Sequence, residues 1–437
     1  MNQTDIPVWL DERGHLNEVA FAKEYLSVMD MICVDGAFFT TEGRVEDENQ
    51  MRCAIYRALS EYITTGLPRK VERIMDVLRM ESYHGSLPHS EDVIHVSNGS
   101  VVLGISPHLK PSFTRGKGYC RYRMQVDYNE QAPEPVRWKQ FLNQLLEETD
   151  ILTLQEYMGY CLVPTTRAQK MLIITGRGGE GKSRIGVVMK ALLGCNMGVG
   201  SVAKLESSPF ARADLQHLLV MVDDDLKMEA LSQTNNIKSI VTAEIPMDLE
   251  RKGVQSYQGL LYCRLMAFGN GTLQALHDRS YGFFRRQIIL SAKPRDPDRV
   301  DDPYLADALK KELEGIFLWC LEGLDRLQRN HYRFTLSSQA IANMEASVTE
   351  GNNVISFLES DGYFRLEPEA TASSRALYQV YRDWCEDNSF TPLSSRSFLC
   401  SVKDAACDYG LTASHHIPIG NGKQARGFRG IRLLSRF

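Results

Sequence analysis

The sequence lacks the features that mark membrane, secreted or disordered proteins. Its 437 residues contain no apolar run near the roughly 20 residues of a membrane-spanning helix, and the first residues lack the pattern of a secretion signal. The ten cysteines include no C-x-x-C pair, which disfavours a disulfide framework. Apolar residues make up 43% and charged residues 24%, the balance of a globular protein. We therefore expect a cytoplasmic protein with reduced thiols and without a membrane partner.

An excess of basic residues is also missing. The chain has 50 Lys and Arg against 55 Asp and Glu, a net charge of −5, so the overall charge gives no reason to expect a nucleic-acid partner. The distribution is uneven, however, because residues 391–437 contain seven basic and only two acidic residues. This basic end suits phosphate contacts, or alternatively a solvated face on a domain that docks subunits together.

Periodicity and turn residues divide the chain into four parts. Apolar residues at helical spacing predict a helical N-terminal domain over residues 1–90. Short alternating segments around Asn98-Gly99 and 120–126 predict a short β collar over residues 91–135. Residues 136–335 alternate strands with helices, which is typical of an α/β domain with a parallel sheet. Residues 350–437 end in the order helix, helix and β-hairpin, which predicts a winged helix.

A glycine-rich loop follows the apolar strand at residues 171–175 and precedes a helix. Its sequence, GRGGEGKS, has the G-x-x-x-x-G-K-[ST] pattern of a nucleotide-binding loop. Glycines allow several backbone N–H groups to surround phosphates, while the lysine reaches the β- and γ-phosphates and the serine binds Mg²⁺. The predicted ATP and Mg²⁺ ligands are Gly176, Gly178, Gly179, Gly181, Lys182 and Ser183.

Three further segments carry polar residues at the ends of apolar strands. The strand at residues 218–222 runs into Asp223 and Asp224, a carboxylate pair suited to hold Mg²⁺ and orient the attacking water; Asp225 is expected at the surface. Asn270 follows the next strand and could orient that water, or be a turn residue. Arg286 belongs to an arginine pair that could stabilise a transferring phosphoryl group, or flank a strand at the surface.

Taken in order, the loop, the acidic strand end, Asn270 and the arginine pair resemble the motifs of superfamily 3 helicases. The resemblance extends over about residues 90–437 and is nearest to the helicase part of phage, plasmid and poxvirus primase-helicases. It implies an α/β fold, with a P-loop AAA+-like ATPase core around a central parallel sheet, a helical N-terminal domain and a C-terminal winged helix. It also implies catalytic roles for Lys182, Asp223, Asp224, Asn270 and Arg286, with Arg286 acting on a neighbouring subunit.

The same family carries a β-hairpin whose basic tip grips DNA in the channel of a ring. Residues 245–257 resemble this hairpin, with Lys252 at its tip and Arg251 beside it; the alternative is a solvated turn. Lys423, Arg426 and Arg429 of the predicted wing are further candidate DNA contacts.

Two features depart from the family. Glu180 stands where the family loop usually has Asn, which would lower nucleotide affinity by bringing negative charge near the phosphates. The residues before the collar hold no primase motif, so a primase or replication initiator would be a separate partner.

The resulting prediction is an ATP-dependent DNA helicase for replication of a phage, plasmid or mobile genetic element. It would form a homo-oligomeric ring, as a hexamer, on single-stranded and forked DNA. The alternative is a nucleotide-switched P-loop protein that binds DNA or a partner without unwinding activity.

Overall fold

The structure, a computed structural model, describes residues 7–11, 13–87, 90–104, 111–226, 231, 233–271, 281–351, 353–388, 390, 392–418 and 424–434. The chain divides into two compact units. The first comprises Met1–Leu273 and Arg285–Ile341, and the second comprises Gln274–Phe284 and Ala342–Phe437.

The N-terminal part of the first unit combines three helices with a small sheet that the helical prediction did not include. Its elements are α1 (Glu18–Val28), β1 (Ile32–Val34), β2 (Ala37–Thr40), β3 (Gly43–Arg44), α2 (Glu48–Ser60) and α3 (Leu67–Glu81). The sheet has the order β1-β2-β3. Asp35 and Gly36, which join β1 to β2, both have positive φ angles of 50° and 78°. Asp-Gly pairs favour such two-residue hairpin turns, so the sequence contained a signal for this sheet.

The predicted β collar is present, but its third strand lies elsewhere. The antiparallel strands are β4 (Val93–Val96), β5 (Gly99–Val102) and β6 (Ser112–Arg115), in that order across the sheet. The strand predicted over residues 120–126 is wrong, because this segment contributes only an isolated bridge between His95 and Arg123. Its alternating residues Tyr122, Met124 and Val126 are buried in the main core. Alternation here reflects burial of one side of an extended segment rather than pairing in a sheet.

Between residues 136 and 341 the first unit forms a mixed α/β structure around a parallel sheet; residues 281–284 and 342–351 belong to the second unit. The elements are α4 (Val136–Leu145), α5 (Glu148–Tyr160), β7 (Met171–Thr175), α6 (Ser183–Leu193), β8 (Met197–Val199), α7 (Val202–Ser207), α8 (Pro209–Ala213), β9 (Val220–Leu226), α9 (Asn235–Thr242), β10 (Met247–Arg251), β11 (Val254–Gly259), β12 (Arg264–Gly269), α10 (Tyr281–Phe284), β13 (Gln287–Ser291), α11 (Leu305–Lys310), α12 (Leu313–Arg329) and α13 (Ser338–Gly351). Five strands pair in the order β13-β7-β12-β9-β8, and all four pairings are parallel. The predicted central parallel sheet is confirmed. None of the helices in the described ranges is long and apolar enough to cross a membrane.

Helices α5 and α12 pack at close range next to this sheet. A Cβ atom on Gly159 of α5 would lie 2.3 Å from the Cys320 carbonyl oxygen, and one on Gly323 of α12 would lie 2.3 Å from the Gln155 carbonyl oxygen. The buried Glu156 carboxylate accepts hydrogen bonds from Arg326 Nε and the Thr335 backbone N–H, both at 2.7 Å. A glycine on each helix therefore allows the two backbones to pack in contact. The ion pair between Glu156 and Arg326 fixes the position of one helix along the other.

The second unit has its own aromatic core. Its described elements after α13 are α14 (Asn353–Leu358), β14 (Phe364–Ser373), α15 (Ser374–Asp387), α16 (Ser395–Asp404), β15 (Thr412–Pro418) and β16 (Gln424–Leu433), with an antiparallel sheet in the order β14-β16-β15. The Tyr381 and Phe398 rings stack at 4.1 Å, which joins α15 to α16. The Ser373 and Ser394 side chains accept the backbone N–H groups of Ala376 and Ser397, which caps the starts of α15 and α16.

The α5–α12 contact gives a stability prediction. We expect Gly159→Ala to lower the free energy of unfolding by about 2–3 kcal/mol, because the methyl group must push two backbones apart. Thermal denaturation of the purified chain measures the change. Gly85→Ala is the matched control, since a Cβ atom there meets nothing within 4 Å. Equal melting temperatures for both variants would contradict the close packing.

Candidate functional site

A cavity of about 790 Å³ lies at the carboxyl edge of the parallel sheet. The glycine-rich loop (residues 176–183) follows β7 and forms one wall, and the ends of β9 and β12 form another. The backbone N–H of Gly176 donates to the carbonyl of Gly269 at 3.0 Å, which joins the ends of β7 and β12. Because parallel strands end together, residues distant in sequence meet at this edge.

The loop has the backbone conformation that its sequence predicts. Gly178, Gly179 and Gly181 have φ angles of 106°, 81° and 103°, which L-residues rarely adopt. A Cβ atom on Gly176 would lie 2.8 Å from Nζ of Lys182. Ser183 begins α6 and, like Lys182, lines the cavity. The loop therefore offers backbone amides, one ammonium group and one hydroxyl group, which together suit an anionic ligand.

Glu180 turns its carboxylate back into the loop. Its oxygens accept hydrogen bonds from the backbone N–H groups of Arg177 and Gly178, the latter at 2.9 and 3.0 Å. Lys182 Nζ donates to Glu180 Oε2 at 2.8 Å, and both side chains are buried. Burial alone would raise the pKa of the Glu180 carboxyl, but the bonds from Lys182 and the backbone together hold it below its ordinary value. The loop thus carries an internal counter-ion for its own lysine.

The acidic end of β9 places its three carboxylates differently from the prediction. Asp223 is buried, and its side chain accepts the Val202 backbone N–H at 2.8 Å. Burial raises the pKa of Asp223, while the N–H groups of Val202 and Asp225 oppose that rise. Asp224 and Asp225, rather than Asp223, line the cavity. Asp225 is exposed, as expected, and also lines the cavity, whereas Asp223 ties β9 to the start of α7.

Asn270 is exposed directly after β12 and lines the same cavity. Besides Arg184 on α6, two arginines that the sequence analysis did not select also lie there. Arg299 Nη1 donates to the Glu180 carbonyl oxygen at 2.8 Å, and Arg295 Nη2 donates to Asp301 at 3.1 Å. They follow β13 in a polar segment without a recognised motif, and no periodicity marks them. The cavity consequently holds more positive charge than Lys182 alone provides.

Arg286 lies at the opposite edge of the sheet. Its carbonyl oxygen accepts the Met171 N–H at 2.8 Å, at the amino ends of β7 and β13. A five-residue strand such as β7 is about 16 Å long at about 3.3 Å per residue, so Arg286 cannot reach the cavity of its own chain. Lys170 and Arg285 lie beside Arg286. Burial lowers the pKa of Lys170, and the charges of Arg285 and Arg286 lower it further. A cluster of cations therefore occupies the amino edge.

The other predicted cations lie away from the cavity. The hairpin prediction is confirmed: β10 and β11 are antiparallel, with Lys252 and Gly253 at the turn. Arg251 Nη2 donates to Gln216 Oε1 at 2.8 Å. Arg426 and Arg429 are exposed on β16, and Lys423 lies outside the described residues.

A cluster of three or more His, Cys, Asp or Glu side chains that could hold a metal is not found in the part of the chain that the structure describes.

Comparison with known proteins gives limited matches. The profile of a protein family described as "Family of unknown function (DUF5906)" matches residues 174–286, from the end of β7 to Arg286. No curated protein matches the chain. Similar solved structures include the A-form apo structure of the NrS-1 C-terminal region, with 11% identity and a TM-score of 0.46 over 76% of this chain and 75% of that chain. A second apo structure of that region has 13% identity and a TM-score of 0.44 over 70% and 77% of the two chains.

The internal ion pair of the loop predicts a pH dependence of stability. The pKa of Glu180 is below its ordinary value of 4.5 in the folded chain, so the pair contributes fully above that pH and is lost as the pH falls through the folded-state pKa. We expect Glu180→Gln to lower the free energy of unfolding by about 2 kcal/mol at neutral pH. The difference from the unsubstituted chain should shrink in denaturant titrations below about pH 4. The exposed Glu61→Gln is the control, and a constant difference across this range would refute the ion pair.

Proposed function

We propose that this chain is an ATP-dependent DNA helicase of the superfamily 3 type, which forms a homo-oligomeric ring, as a hexamer, on single-stranded and forked DNA. It would serve replication of a phage, plasmid or mobile element. The observation that carries the proposal is the single cavity that combines the glycine-rich loop with Lys182, Ser183, Asp224 and Asn270.

The residues of the cavity fit a magnesium-bound nucleoside triphosphate. Three glycines with positive φ keep Cβ atoms away from the loop backbone, and Lys182 adds a positive charge. The Glu180 carboxylate, which accepts the Gly178 N–H and the Lys182 ammonium, would have to release both to the phosphates. Lys182 would hold the terminal phosphates, Ser183 and the carboxylates of Asp224 and Asp225 would hold Mg²⁺ and its waters, and Mg²⁺ would neutralise charge on the phosphates. Arg295 and Arg299 add guanidinium groups on the far side of the loop.

Hydrolysis needs a water molecule held beside the terminal phosphate. Asn270 carries both a donor and an acceptor, so its amide can orient a water without changing charge. Asp224 can accept a hydrogen bond from the same water, because its side chain is exposed and lines the cavity. Asp223 acts indirectly in this scheme, because its bond to Val202 fixes the end of β9.

Arg286 supports an oligomeric site. A guanidinium group at the amino edge of the sheet cannot serve the cavity at the carboxyl edge of the same chain, but it could complete the cavity of a neighbouring subunit. An arginine supplied in this way contributes about 10³–10⁵ in rate to phosphoryl transfer. A ring of identical subunits would place every Arg286 in an equivalent position.

The second unit supports a DNA-binding role. Its elements follow the order α14, β14, α15, α16, β15 and β16, which is the order of a winged helix with β15 and β16 as the wing. Arg426 and Arg429 are exposed on β16, where phosphate groups could reach them.

Subunit mixing tests the proposal. Lys182→Ala and Arg286→Ala should each lose most ATP hydrolysis, because one lacks its own phosphate ligand and the other lacks the arginine offered to its neighbour. An intact interface needs Lys182 from one subunit and Arg286 from its neighbour. Random mixing at equal ratio gives this arrangement at about one interface in four, so a corresponding fraction of activity should return. Steady-state phosphate release in the presence of single-stranded DNA measures the recovery. Activity that stays absent at every ratio, although both variants still assemble, would contradict action between subunits.

Removal of the internal counter-ion gives a second test. We expect Glu180→Gln to bind ATP about 10-fold more tightly, a gain of about 1.4 kcal/mol, because Lys182 no longer has to leave a carboxylate to meet the phosphates. Equilibrium titration with a fluorescent ATP analogue and Mg²⁺ measures affinity, with Glu61→Gln as control. Weaker binding by Glu180→Gln would mean that the carboxylate organises the loop for the nucleotide rather than competing with it.

A second candidate function is a nucleotide-switched protein that binds DNA or a partner without unwinding. The Glu180–Lys182 pair favours this second function. Lys182 would have to leave Glu180 before it could bind a phosphate, which suits slow exchange between a nucleotide-free and a nucleotide-bound state. Strand displacement on a forked DNA separates the two functions. The helicase should displace the strand with ATP and lose this activity with Lys252→Ala, whereas the switch should bind the fork and displace nothing.

A further inference from the structure

A second cavity, of about 570 Å³, lies at the base of the β10–β11 hairpin. We call it the hairpin groove. One part of its wall comes from Arg44 on β3, and the other from the short segment that precedes β9 and from the hairpin itself. Its charged and aromatic lining consists of Arg44, Phe210, Asp214, His217, Glu250, Arg251 and Lys252. The groove therefore joins the N-terminal part of the chain to the hairpin within the first unit.

Buried polar atoms in this groove lack hydrogen-bond partners. His217 is only 7% exposed, and neither of its ring nitrogens has a partner among the described residues. Arg44 Nε is likewise buried without a partner, although Nη2 of the same side chain donates to the Cys195 carbonyl at 2.9 Å. Buried donors are normally satisfied, so these atoms indicate a ligand that brings acceptors.

The charge around His217 fits an anion. Burial, together with the nearby Arg44, Arg121 and Arg251, lowers the pKa of His217 to about 3, so the ring is neutral near pH 7. Arg121 is paired with Asp35 at 2.8 Å. Neither Arg44 nor Arg251 forms an ion pair with a carboxylate of the described chain, although Asp214 and Glu250 line the rim. Two guanidinium charges thus remain for a ligand, and a neutral imidazole can add one N–H donor.

The rim adds two features that suit a nucleic-acid strand. Phe210 is 49% exposed, which leaves its ring available for stacking on a base. Lys252 stands at the exposed hairpin turn and continues the positive charge outward. Arg251 is held in place, because Gln216 accepts from both Arg251 Nη2 at 2.8 Å and the Tyr257 hydroxyl at 2.7 Å. Aromatic and basic side chains together distinguish a strand from a free phosphate ion.

We propose that the hairpin groove binds a phosphodiester group of single-stranded DNA, with Arg44 and His217 as ligands inside the groove and Phe210 stacked on an adjacent base. This inference extends the proposed helicase function, because it gives the hairpin a second DNA contact that includes the N-terminal part of the chain. Arg44 and Arg251 would pair with the phosphate oxygens, and Lys252 would meet the following phosphate.

Fluorescence anisotropy of the full chain with a labelled oligo-dT, at several salt concentrations, tests the groove. We expect Arg44→Gln to weaken binding about 10-fold and to reduce the slope of log affinity against log salt by about 0.7, the value for one phosphate contact on a single strand. Phe210→Ala should weaken binding at least about 5-fold without changing the slope, because stacking carries no charge. Arg69→Gln, an exposed arginine outside the groove, is the matched control and should change neither quantity.

The variants also separate failure of the groove from failure of the proposed function. Unchanged binding by both Arg44→Gln and Phe210→Ala, in a chain that hydrolyses ATP, overturns the groove and leaves the helicase proposal intact. Weaker, less salt-dependent binding by Arg44→Gln in a chain without ATP hydrolysis supports the groove alone. Phe210→Ala keeps the test decisive if Arg44→Gln unfolds in thermal denaturation, because the Phe210 ring is half exposed. Full displacement of oligo-dT by inorganic phosphate at constant ionic strength would assign the groove to a free anion and overturn the DNA contact.

Discussion

The structure of the candidate site depends on the parallel register of five buried strands. Parallel pairing brings the carboxyl ends of β7, β9 and β12 to one edge, so that a loop, a carboxylate pair and an amide from three distant segments border one cavity. The strands between them are almost wholly apolar, which leaves these ends as the places where polar side chains meet solvent. The same register fixes the other edge as well, where Arg286 precedes β13. The sheet therefore places the cavity at one edge and the cationic cluster around Arg286 at the other.

Within that frame, Glu180 changes the electrostatics of the glycine-rich loop. An ammonium group buried without an acceptor would be costly, and the carboxylate two residues before Lys182 removes that cost. The loop is consequently stable with its lysine turned inward, and an incoming phosphate has to compete with a partner that is already bound. Arg299, which holds the Glu180 carbonyl from outside, stabilises the same arrangement. The loop is thus held by its own side chains when no ligand is bound.

Sequence reasoning recovers what local patterns encode and misses what depends on distant contacts. The strand, loop and helix around Lys182, the parallel sheet and the hairpin with Lys252 at its turn all have local signals, and each is present. The exchange of Asp223 for Asp225 in the cavity has no such signal, because it depends on a hydrogen bond from Val202, 21 residues earlier. Arg295 and Arg299 belong to a segment without periodicity, and only its return over the loop gives them a role. The prediction of a strand at 120–126 is wrong because alternation of apolar residues reports burial of one side of a segment, not pairing with another strand.

Local clusters of charge, rather than the net charge of the whole chain, indicate whether a surface can bind an anionic partner. The net charge of −5 sums side chains that lie on different surfaces of the chain. Arg44 and Arg251 share one groove, Lys170, Arg285 and Arg286 share one sheet edge, and Arg426 and Arg429 share one strand. Each set presents its cations together, whereas many of the acidic side chains are bound in ion pairs or hydrogen bonds with neighbouring groups, as Glu156 and Glu180 are. A phosphate ligand responds to the local potential within about 8 Å, the screening length in physiological salt. A chain with an acidic average can therefore offer several basic surfaces, and repetition of such surfaces around a ring would multiply them along one strand.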